Sequence, residues 1–335
     1  MNETATRVEE RGWRRWGRKV LLWAIVLQWI GAVAFIALLF VGERTQPSLL
    51  ALYAPRQPFL VVAFAALLLV PFTRTKRRRI LLVLQSALCA ALLFPVLGFS
   101  VSMPREAKQP IRITSYNVFF GKEGRPALLD EIAAMSSDII VLQAAYDSLG
   151  SALRERLPDR TIHQDYELVL VTRFNLRSAD VPPPLPDGTP AMYVKYVLDT
   201  PYGALRVYNV HAYSPRHALF DRDGNQTASN IAQREAQIAA VVAAARSDVP
   251  PFVIVGDTNL PGWSRIGREH FDGLRDAFDE AGFGFGYTFP AKRPWLRIDR
   301  ALRGDGARFV DARVGARGAS DHRRLDVVLE LAGEP

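Results

Sequence analysis

The sequence contains a single cysteine, Cys89, among its 335 residues, so no disulfide can form within the chain. Cys89 also falls inside an apolar run that predicts a membrane span. No internal repeat or low-complexity segment is evident. The roughly 230 residues that follow the apolar runs must therefore be stabilised by their own core, and a domain of that length can bury one.

The larger part of the chain also lacks net positive charge. The whole sequence has 42 Lys and Arg against 34 Asp and Glu, a formal charge of +8. Residues 1–105 contain 14 Lys and Arg and 4 Asp and Glu. Residues 106–335 therefore contain 28 Lys and Arg and 30 Asp and Glu, a net charge of −2. The basic balance therefore does not indicate a polyanion-binding surface on the larger part. Ten Lys and Arg between Lys292 and Arg324 either form a local basic rim or lie on solvated loops.

Three apolar runs predict membrane spans at about residues 20–41, 50–72 and 80–101. The first and last have the length of about 20 apolar residues that crosses a bilayer. Within the middle span, the apolar run from Phe59 to Phe72 has only 14 residues and follows Pro55 and Pro58. Taken alone, that run could be a short span, a re-entrant segment or a buried helix. The first run is longer than the apolar region of a signal peptide and lacks a clear cleavage site, which favours an anchor.

Basic clusters indicate the orientation of these spans. They are Arg11, Arg14, Arg15, Arg18 and Lys19 before the first span, and Arg74, Lys76, Arg77, Arg78 and Arg79 before the last. If the middle run crosses, both clusters lie on the cytoplasmic side, as the positive-inside rule favours. We therefore expect a membrane domain at residues 1–101, a linker at 102–110, and a domain at 111–335 outside the cytoplasm.

Strand and helix patterns alternate after residue 111, which predicts an α/β domain. One apolar strand runs through residues 252–255 into Gly256 and then delivers Asp257 and Asn259, which share a face because they are two residues apart. A carboxylate that accepts a proton from water and an amide that donates to a phosphate oxygen suit phosphoryl chemistry. Taken alone, the same residues are also typical of a turn. Other predicted strand ends carry Asn117, His211, Asp299, and Asp321 with His322.

The order of these motifs resembles the endonuclease/exonuclease/phosphatase superfamily. The motifs are Ser-Tyr-Asn-Val (115–118), Asp-Ile-Ile-Val-Leu-Gln (138–143), Tyr-Asn-Val-His (208–211), Gly-Asp-Thr-Asn (256–259), Arg-Ile-Asp-Arg (297–300) and Ser-Asp-His (320–322). With three spans in front, the chain also looks like the membrane-anchored branch of that family associated with teicoplanin resistance. The resemblance implies a two-sheet β-sandwich flanked by helices in four layers, and hydrolysis of phosphoric esters with Mg²⁺ or Mn²⁺.

The resemblance also implies roles for the site residues. Asp257 orients or deprotonates the attacking water and Asn259 helps to place it. His322 contacts the phosphate and is positioned by Asp299, while His211 stabilises charge in the transition state. Asn117 binds metal or phosphate, and Asp321 reaches the metal. These roles match what hydrolysis requires, namely an activated water and donors on the developing oxyanion.

One position departs from the family pattern. The family has a glutamate directly after the Leu-Gln pair, where it is the main metal ligand, and this chain has Ala144. A methyl group cannot coordinate magnesium, which prefers oxygen ligands. The substitution is engineered, or the chain is a natural pseudoenzyme, or a carboxylate such as Asp147, Glu123 or Glu167 compensates. The first is favoured because the other motif positions are filled.

The short linker keeps the expected active site close to the bilayer, since even fully extended it spans only about 30 Å at roughly 3.3 Å per residue. Lipid-linked phosphates or pyrophosphates are therefore the first substrate class, with the bilayer itself as a partner. A nuclease acting on DNA outside the cytoplasm is the alternative within the enzymes, although the net charge disfavours a long polyanion. A membrane-tethered module that binds a phosphorylated ligand without cleaving it is the alternative outside the enzymes.

Overall fold

The computed structural model describes residues 3–73, 75–221 and 226–332. Arg74 of the second basic cluster and residues 333–335 of the predicted domain lie outside the described residues, as do the side chains of Arg11, Arg14, Arg15 and Arg18. The chain divides into two compact units, Met1–Val41 with Ala54–Gly98, and Gly42–Tyr53 with Phe99–Pro335.

Helices occupy most of the chain before residue 98. They are α1 (Glu3–Val41), α2 (Gln46–Tyr53), α3 (Gln57–Phe64) and α4 (Lys76–Leu93), with 3₁₀ segments at Gly42–Arg44, Ala65–Phe72 and Phe94–Leu97. Two stretches, Lys19–Arg44 and Lys76–Leu97, are long and apolar enough to cross a membrane. Only 22% and 33% of their most apolar windows are buried, whereas the core helices of soluble proteins are mostly buried.

The middle and last predicted spans differ from the structure at their ends. Residues 50–53 belong to α2, which packs with the second unit, so the middle apolar run begins at Gln57 rather than at 50. That run is α3 followed by a 3₁₀ segment containing Pro71, and it is not one helix of spanning length. The last helical stretch ends at Leu97, because Gly98 takes a left-handed conformation with φ of 68°.

The second unit contains two six-stranded sheets within the described residues. Its strands are β1 (Ser100–Val101), β2 (Pro110–Asn117), β3 (Ile139–Gln143), β4 (Thr161–Asp165), β5 (Leu168–Thr172), β6 (Asn175–Asp180), β7 (Tyr193–Thr200), β8 (Gly203–His211), β9 (Phe252–Asp257), β10 (Arg275–Asp276), β11 (Phe283–Gly284), β12 (Asp299–Arg303), β13 (Ala307–Val314) and β14 (Leu325–Leu331). The first sheet has the order β13-β14-β2-β3-β5-β4 and the second β10-β12-β9-β8-β7-β6.

Helices pack against both sheets. They are α5 (Arg125–Ala133), α6 (Leu149–Arg156), α7 (Arg216–Leu219), α8 (Thr227–Ser247), α9 (Arg265–His270) and α10 (Ala277–Ala281), of which α10 contributes to the core between the sheets. The inner core joins residues of both sheets, such as Ile113 and Val141 of the first with Val207 and Val255 of the second. Separate apolar clusters pack α5 and α6 on the first sheet and α8 and α9 on the second. The expected two-sheet sandwich flanked by helices is confirmed.

The segment expected to be a free linker is bound along the second unit. β1 pairs with β11, and Ser102 Oγ donates to the carbonyl oxygen of Asp279 at 2.7 Å. The backbone N–H of Arg105 donates to Val310 O at 2.7 Å, and that of Lys108 donates to a Glu330 carboxylate oxygen at 2.8 Å. These pairings are non-local, so the polar, proline-flanked sequence of residues 102–110 gave no sign of them.

The buried strand β9 depends on the absence of a side chain at Gly256. Its φ is 148°, and an added Cβ would lie 2.0 Å from the carbonyl oxygen of Val210 on β8. We expect Gly256→Ala to lower the free energy of unfolding of this unit by roughly 2–5 kcal/mol, from left-handed strain and overpacking together. Denaturant unfolding followed by tryptophan fluorescence measures the change.

Gly262→Ala is the matched control for that substitution. Gly262 has no positive φ, and the nearest atom to an added Cβ there is Arg300 Nη2 at 3.9 Å. Its free energy of unfolding should change by less than about 1 kcal/mol, as for ordinary surface substitutions. Equal destabilisation by the two alanines would contradict the packing described for β9.

Candidate active site

Strands from both sheets end close together at one end of the sandwich. β2 and β3 are parallel and pair Asn117 with Gln143 at their C-terminal ends. β8 and β9 are parallel and pair His211 with Asp257 in the same way. β12 is antiparallel to β9 and begins at Asp299, opposite Asp257. The motif residues of five separate sequence segments therefore meet, because β2, β3, β8 and β9 end, and β12 begins, at the same level.

Buried amides fix the two sheets to each other at this end. Gln143 Nε2 donates to Asn209 Oδ1 at 2.7 Å, and Asn209 Nδ2 donates to the carbonyl oxygen of Leu142 at 3.0 Å. Asn117 Nδ2 donates to Asp257 Oδ2 at 2.9 Å. A buried amide without its partner costs about 1–3 kcal/mol, so these bonds select one alignment of the sheets. Gln143 and Asn209 lie inside the quoted motifs, but the motifs did not indicate that these two amides link the sheets.

Asp257 is the centre of the site and is 1% exposed. Its Oδ1 accepts the backbone N–H of Asn259 at 2.8 Å. Its Oδ2 lies 3.8 Å from His211 Nε2 and 3.7 Å from His322 Nε2. Burial, together with the negative charge of Asp299, raises the pKa of Asp257 above that of an ordinary aspartate. A carboxylate of raised pKa between two imidazoles is suited to accept a proton from water.

His322 is held as a cation by its surroundings. Its Nδ1 is 2.9 Å from Asp299 Oδ2, and its backbone N–H donates to Ser320 Oγ at 3.2 Å. Ser320 Oγ in turn donates to the carbonyl oxygen of Asn117 at 2.6 Å. Burial alone would lower the pKa of His322, but the charges of Asp299 and Asp257 raise it to about 9. The imidazole is therefore protonated at neutral pH and suited to an anionic ligand.

His211 has a carboxylate partner that the sequence reasoning did not assign to it. Its Nδ1 lies 2.5 Å from Glu167 Oε1, and both side chains are largely buried. Burial alone would lower the pKa of His211, but the hydrogen bond and charge of Glu167, with Asp257, raise it. Glu167 was considered only as a substitute metal ligand. The pairing joins residues 44 positions apart, so no local pattern could have revealed it.

The side chain of Asn259 makes its contacts with other groups of the protein. Its Nδ2 donates to the carbonyl oxygen of Ala212 at 2.8 Å and lies 3.4 Å from Asp257 Oδ2. Its backbone is left-handed, with φ of 51°. In this structure Asn259 therefore orients Asp257 and the loop after His211, and it does so through both its backbone and its amide.

Left-handed backbone among non-glycine residues concentrates around this site. In the described residues such φ values occur at Phe119, Phe120, Ala144, Tyr166, Met192 and Asn259. Tyr166 precedes Glu167, and the Met192 carbonyl oxygen accepts the backbone N–H of His211 at 2.9 Å. Each such residue costs of the order of 1–3 kcal/mol and persists only where its surroundings enforce it. Clustering of this kind is typical of a functional site.

The donor set around Asp257 fits a divalent cation in part. Ligand atoms of Asp257, Asp299 and His322 lie within 4.8 Å of one another. Among the residues that the structure describes, Asp299 Oδ1 and Asp321 Oδ1 are buried without a hydrogen-bond partner, so each carboxylate has an oxygen available to a cation. Burial also raises the pKa of Asp321, although the charge of His322 opposes part of that rise. Carboxylate oxygens are the ligands that Mg²⁺ prefers.

Ala144 lies at the same end of the sandwich, directly after Gln143. It is 2% exposed, has φ of 51°, and its carbonyl oxygen accepts the backbone N–H of Phe120 at 2.6 Å. Of the possible substitute carboxylates, Glu167 lies at the site but pairs with His211, whereas Glu123 is 43% exposed near Arg317 and Asp147 is exposed. Within the described residues, none of the three joins the group around Asp257.

Comparisons with known proteins agree with this geometry. A structure from Beutenbergia cavernae, described as an endonuclease/exonuclease/phosphatase, is 19% identical over 68% of this chain and 73% of that one, with a TM-score of 0.51. Humanized D. rerio TDP2 is 15% identical over 66% of this chain and 99% of that one, with a TM-score of 0.52. The 3′ phosphatase NExo from Neisseria, bound to a product DNA hairpin, is 19% identical over 66% of this chain and 99% of that one, with a TM-score of 0.50. These likenesses show the fold.

A search of curated proteins gave no significant match. The model of the Endonuclease/Exonuclease/phosphatase family matches residues 114–322, a range that runs from β2 to His322 and includes the strand ends described above. The chain therefore belongs to the endonuclease/exonuclease/phosphatase family.

Proposed function

We propose that the chain is a membrane-anchored, metal-dependent phosphoesterase whose active site is built on Asp257. The observation that carries this proposal is the placement of one buried carboxylate 3.7–3.8 Å from two imidazoles, each of which is backed by its own carboxylate. Asp299 backs His322, and Glu167 backs His211. Such an arrangement supplies a base for water and two imidazole donors for phosphate oxygens.

In the proposed reaction Asp257 accepts a proton from water as the water oxygen forms a bond to phosphorus. The bond from phosphorus to the leaving oxygen breaks, and the negative charge passes to that oxygen. His322, protonated at neutral pH, donates to a phosphate oxygen and is kept in place by Asp299. His211, with its pKa raised by Glu167, donates a proton to the leaving oxygen.

A divalent cation, when bound, would neutralise charge on the phosphate and strengthen these contacts. Asp321 and Asp299, each with an unpartnered carboxylate oxygen, would hold it together with the side-chain oxygen of Asn117. The methyl group of Ala144 adds no ligand where the family has its glutamate. We therefore propose that this chain binds the cation weakly and is impaired in hydrolysis.

The proposed substrate is a lipid-linked phosphate or pyrophosphate. A cleft of about 490 Å³ includes His211 and Glu167 in its lining. The same cleft is lined by apolar side chains of the proline-rich loop and its neighbours, namely Val181, Pro182, Pro184, Pro190 and Met192. An apolar wall beside the phosphate-directed side chains suits the organic portion of such a substrate.

DNA is the second candidate substrate, because NExo, a structural relative, is described as bound to product DNA. The charges of this chain favour it less. Seven of the ten basic residues from Lys292 to Arg324 lie within 4.0 Å of a carboxylate, namely Arg297, Arg300, Arg303, Arg308, Arg313, Arg317 and Arg324. A rim neutralised in this way offers little to a long polyanion.

We also propose three membrane crossings, with the second unit, here named the catalytic unit, outside the cytoplasm, as in the teicoplanin-associated branch. Gly42–Tyr53 packs within the catalytic unit and so lies on its side of the membrane. The chain between Tyr53 and Phe99 must then cross an even number of times, so a crossing by Lys76–Leu97 requires a second one. The run Gln57–Phe72 supplies it, since its eight α-helical and eight 3₁₀ residues measure about 12 and about 16 Å. Their sum approaches the roughly 30 Å of a hydrocarbon core.

Restoring the missing ligand tests the proposed activity. We expect Ala144→Glu to hydrolyse a polyprenyl pyrophosphate in lipid micelles with Mg²⁺ about 100-fold faster than this chain, which corresponds to about 2.7 kcal/mol of transition-state stabilisation. Ala144→Gln, of the same size without the charge, is the control and should stay slow. Plasmid DNA is the competing substrate in a parallel assay.

Equal rates for the glutamate variant and this chain would contradict the assignment of position 144. A glutamate variant that cleaves only DNA would replace the lipid-linked substrate by the second candidate. A variant that binds the phosphorylated lipid but cleaves neither substrate would favour the binding module.

The cationic state of His322 gives a prediction in pH. We expect its imidazole to titrate near pH 9 in metal-free buffer, and Asp299→Asn to bring that pKa down toward about 6.5. Because the folded pKa is raised, the stability from this pair is complete below about pH 6.5 and is lost as pH rises through about 9. NMR of histidine ring carbons, with His322→Gln to assign the signal, measures both values. A His322 that titrates below pH 7 in the parent chain would refute the pairing.

Single cysteines test the proposed crossings in cells, with Cys89 replaced by alanine. Leu50→Cys, Arg77→Cys and Asp305→Cys lie at exposed positions before, between and after the proposed second and third spans. An impermeant maleimide should label positions 50 and 305 in intact cells and position 77 only after permeabilisation. Labelling of position 77 in intact cells would exclude the three-span arrangement.

A further inference from the structure

The twelve residues between the first two apolar runs, Gly42–Tyr53, pack as part of the catalytic unit. Glu43 is 1% exposed, and its carboxylate accepts the hydroxyl of Ser264 and the backbone N–H of Arg265 at 2.9 Å, at the start of α9. Gln46 Nε2 donates to the carbonyl oxygen of Ala218 at 3.1 Å. A buried carboxylate is stable here only because these donors satisfy it, so the segment is fastened and not simply adjacent.

The end of this segment reaches the active-site loop. Tyr53 is 8% exposed, and its hydroxyl donates to the carbonyl oxygen of Asn259 at 2.6 Å. Trp295 Nε1 donates to the carbonyl oxygen of Tyr53 at 3.1 Å, which holds the residue by its backbone as well. Tyr53 therefore links the segment directly to the residue that follows Asp257 and Thr258.

The ring of Tyr53 is also held by a buried cation. Arg234 of α8 is fully buried, and its guanidinium carbon lies 5.8 Å from the centre of the Tyr53 ring. Its three guanidinium nitrogens have no hydrogen-bond partner in the described residues. A buried guanidinium without hydrogen bonds is costly, and the face of an aromatic ring offsets part of that cost. The Arg234 contact thus favours the ring position from which the hydroxyl reaches Asn259.

Asn259 is the residue for which an external restraint matters. Its left-handed backbone, with φ of 51°, is a conformation that few residues adopt without support. On its amino side, the N–H of Asn259 donates to Asp257 Oδ1 at 2.8 Å, and on its carboxyl side the carbonyl oxygen accepts the Tyr53 hydroxyl. Loss of the hydroxyl would leave a buried carbonyl unsatisfied and allow this peptide to rotate.

We propose that Tyr53 is a positioning residue for hydrolysis, which holds Asn259 in the conformation that orients Asp257. The inference rests on the proposed function, since it assigns Asp257 as the base. It makes the loop between the first two membrane runs a working part of the active site. The catalytic unit then reaches full activity only when Gly42–Tyr53 is present and folded onto the rest of that unit.

The test compares Tyr53→Phe with Gln46→Leu in the full-length Ala144→Glu chain. Tyr53→Phe removes the hydroxyl that contacts Asn259 and keeps the ring beside Arg234. Gln46→Leu removes a hydrogen bond of the same segment to Ala218, away from Asp257. We expect Tyr53→Phe to lower kcat about 5- to 30-fold with KM changed less than about twofold, and Gln46→Leu to leave kcat unchanged.

Hydrogen exchange of the backbone amides of residues 257–260 and of Gly262 gives a readout independent of turnover. These amides should exchange at least about tenfold faster in Tyr53→Phe and at the parent rate in Gln46→Leu. Unchanged exchange and kcat in Tyr53→Phe would overturn the proposal. Equal effects of both substitutions would also overturn it, because they would show a general role in fastening the segment. If no variant turns over any substrate, the proposed function fails while the exchange result still decides the position of Asn259.

Discussion

The burial of the Asp257 carboxylate between two sheets is the constraint on which the rest of the site depends. A carboxylate that is 1% exposed is costly unless donors and cations surround it, and here they come from Asn117, Asn259, His211 and His322. Those residues can converge only if β2, β8 and β9 end at one level. The Gln143 to Asn209 hydrogen bond fixes that level inside the core.

The same constraint explains why sequence predicted much of this site. Alternation places Asp257 on the inward face of a strand. Polar residues at the ends of strands were also recognisable at Asn117, at His211 and at Asp299, which begins β12. The order of the six motifs then indicated the family and the sandwich. The polar residues at the strand ends were predictable from sequence, because strand periodicity is a local property.

Contacts between distant segments were not predictable in the same way. Glu167 lies in a turn before β5, and only the fold brings it to His211. Leu49 and Leu52 look like the start of an apolar span, although both are fully buried in the catalytic unit. Ala307–Val314 forms a strand because it pairs with β14, where Arg308 makes an ion pair with Glu330. In each case the partner, and not the local pattern, decides the structure.

The proposed phosphoesterase site lacks one metal ligand, at Ala144. Calorimetric titration of Mg²⁺ into this chain and into its Ala144→Glu variant measures the consequence. We expect weak or undetectable binding to this chain and at least tenfold tighter binding to the variant, a difference of about 1.4 kcal/mol or more. Equally tight binding by both would contradict the proposal, because Ala144 would then not stand at a ligand position.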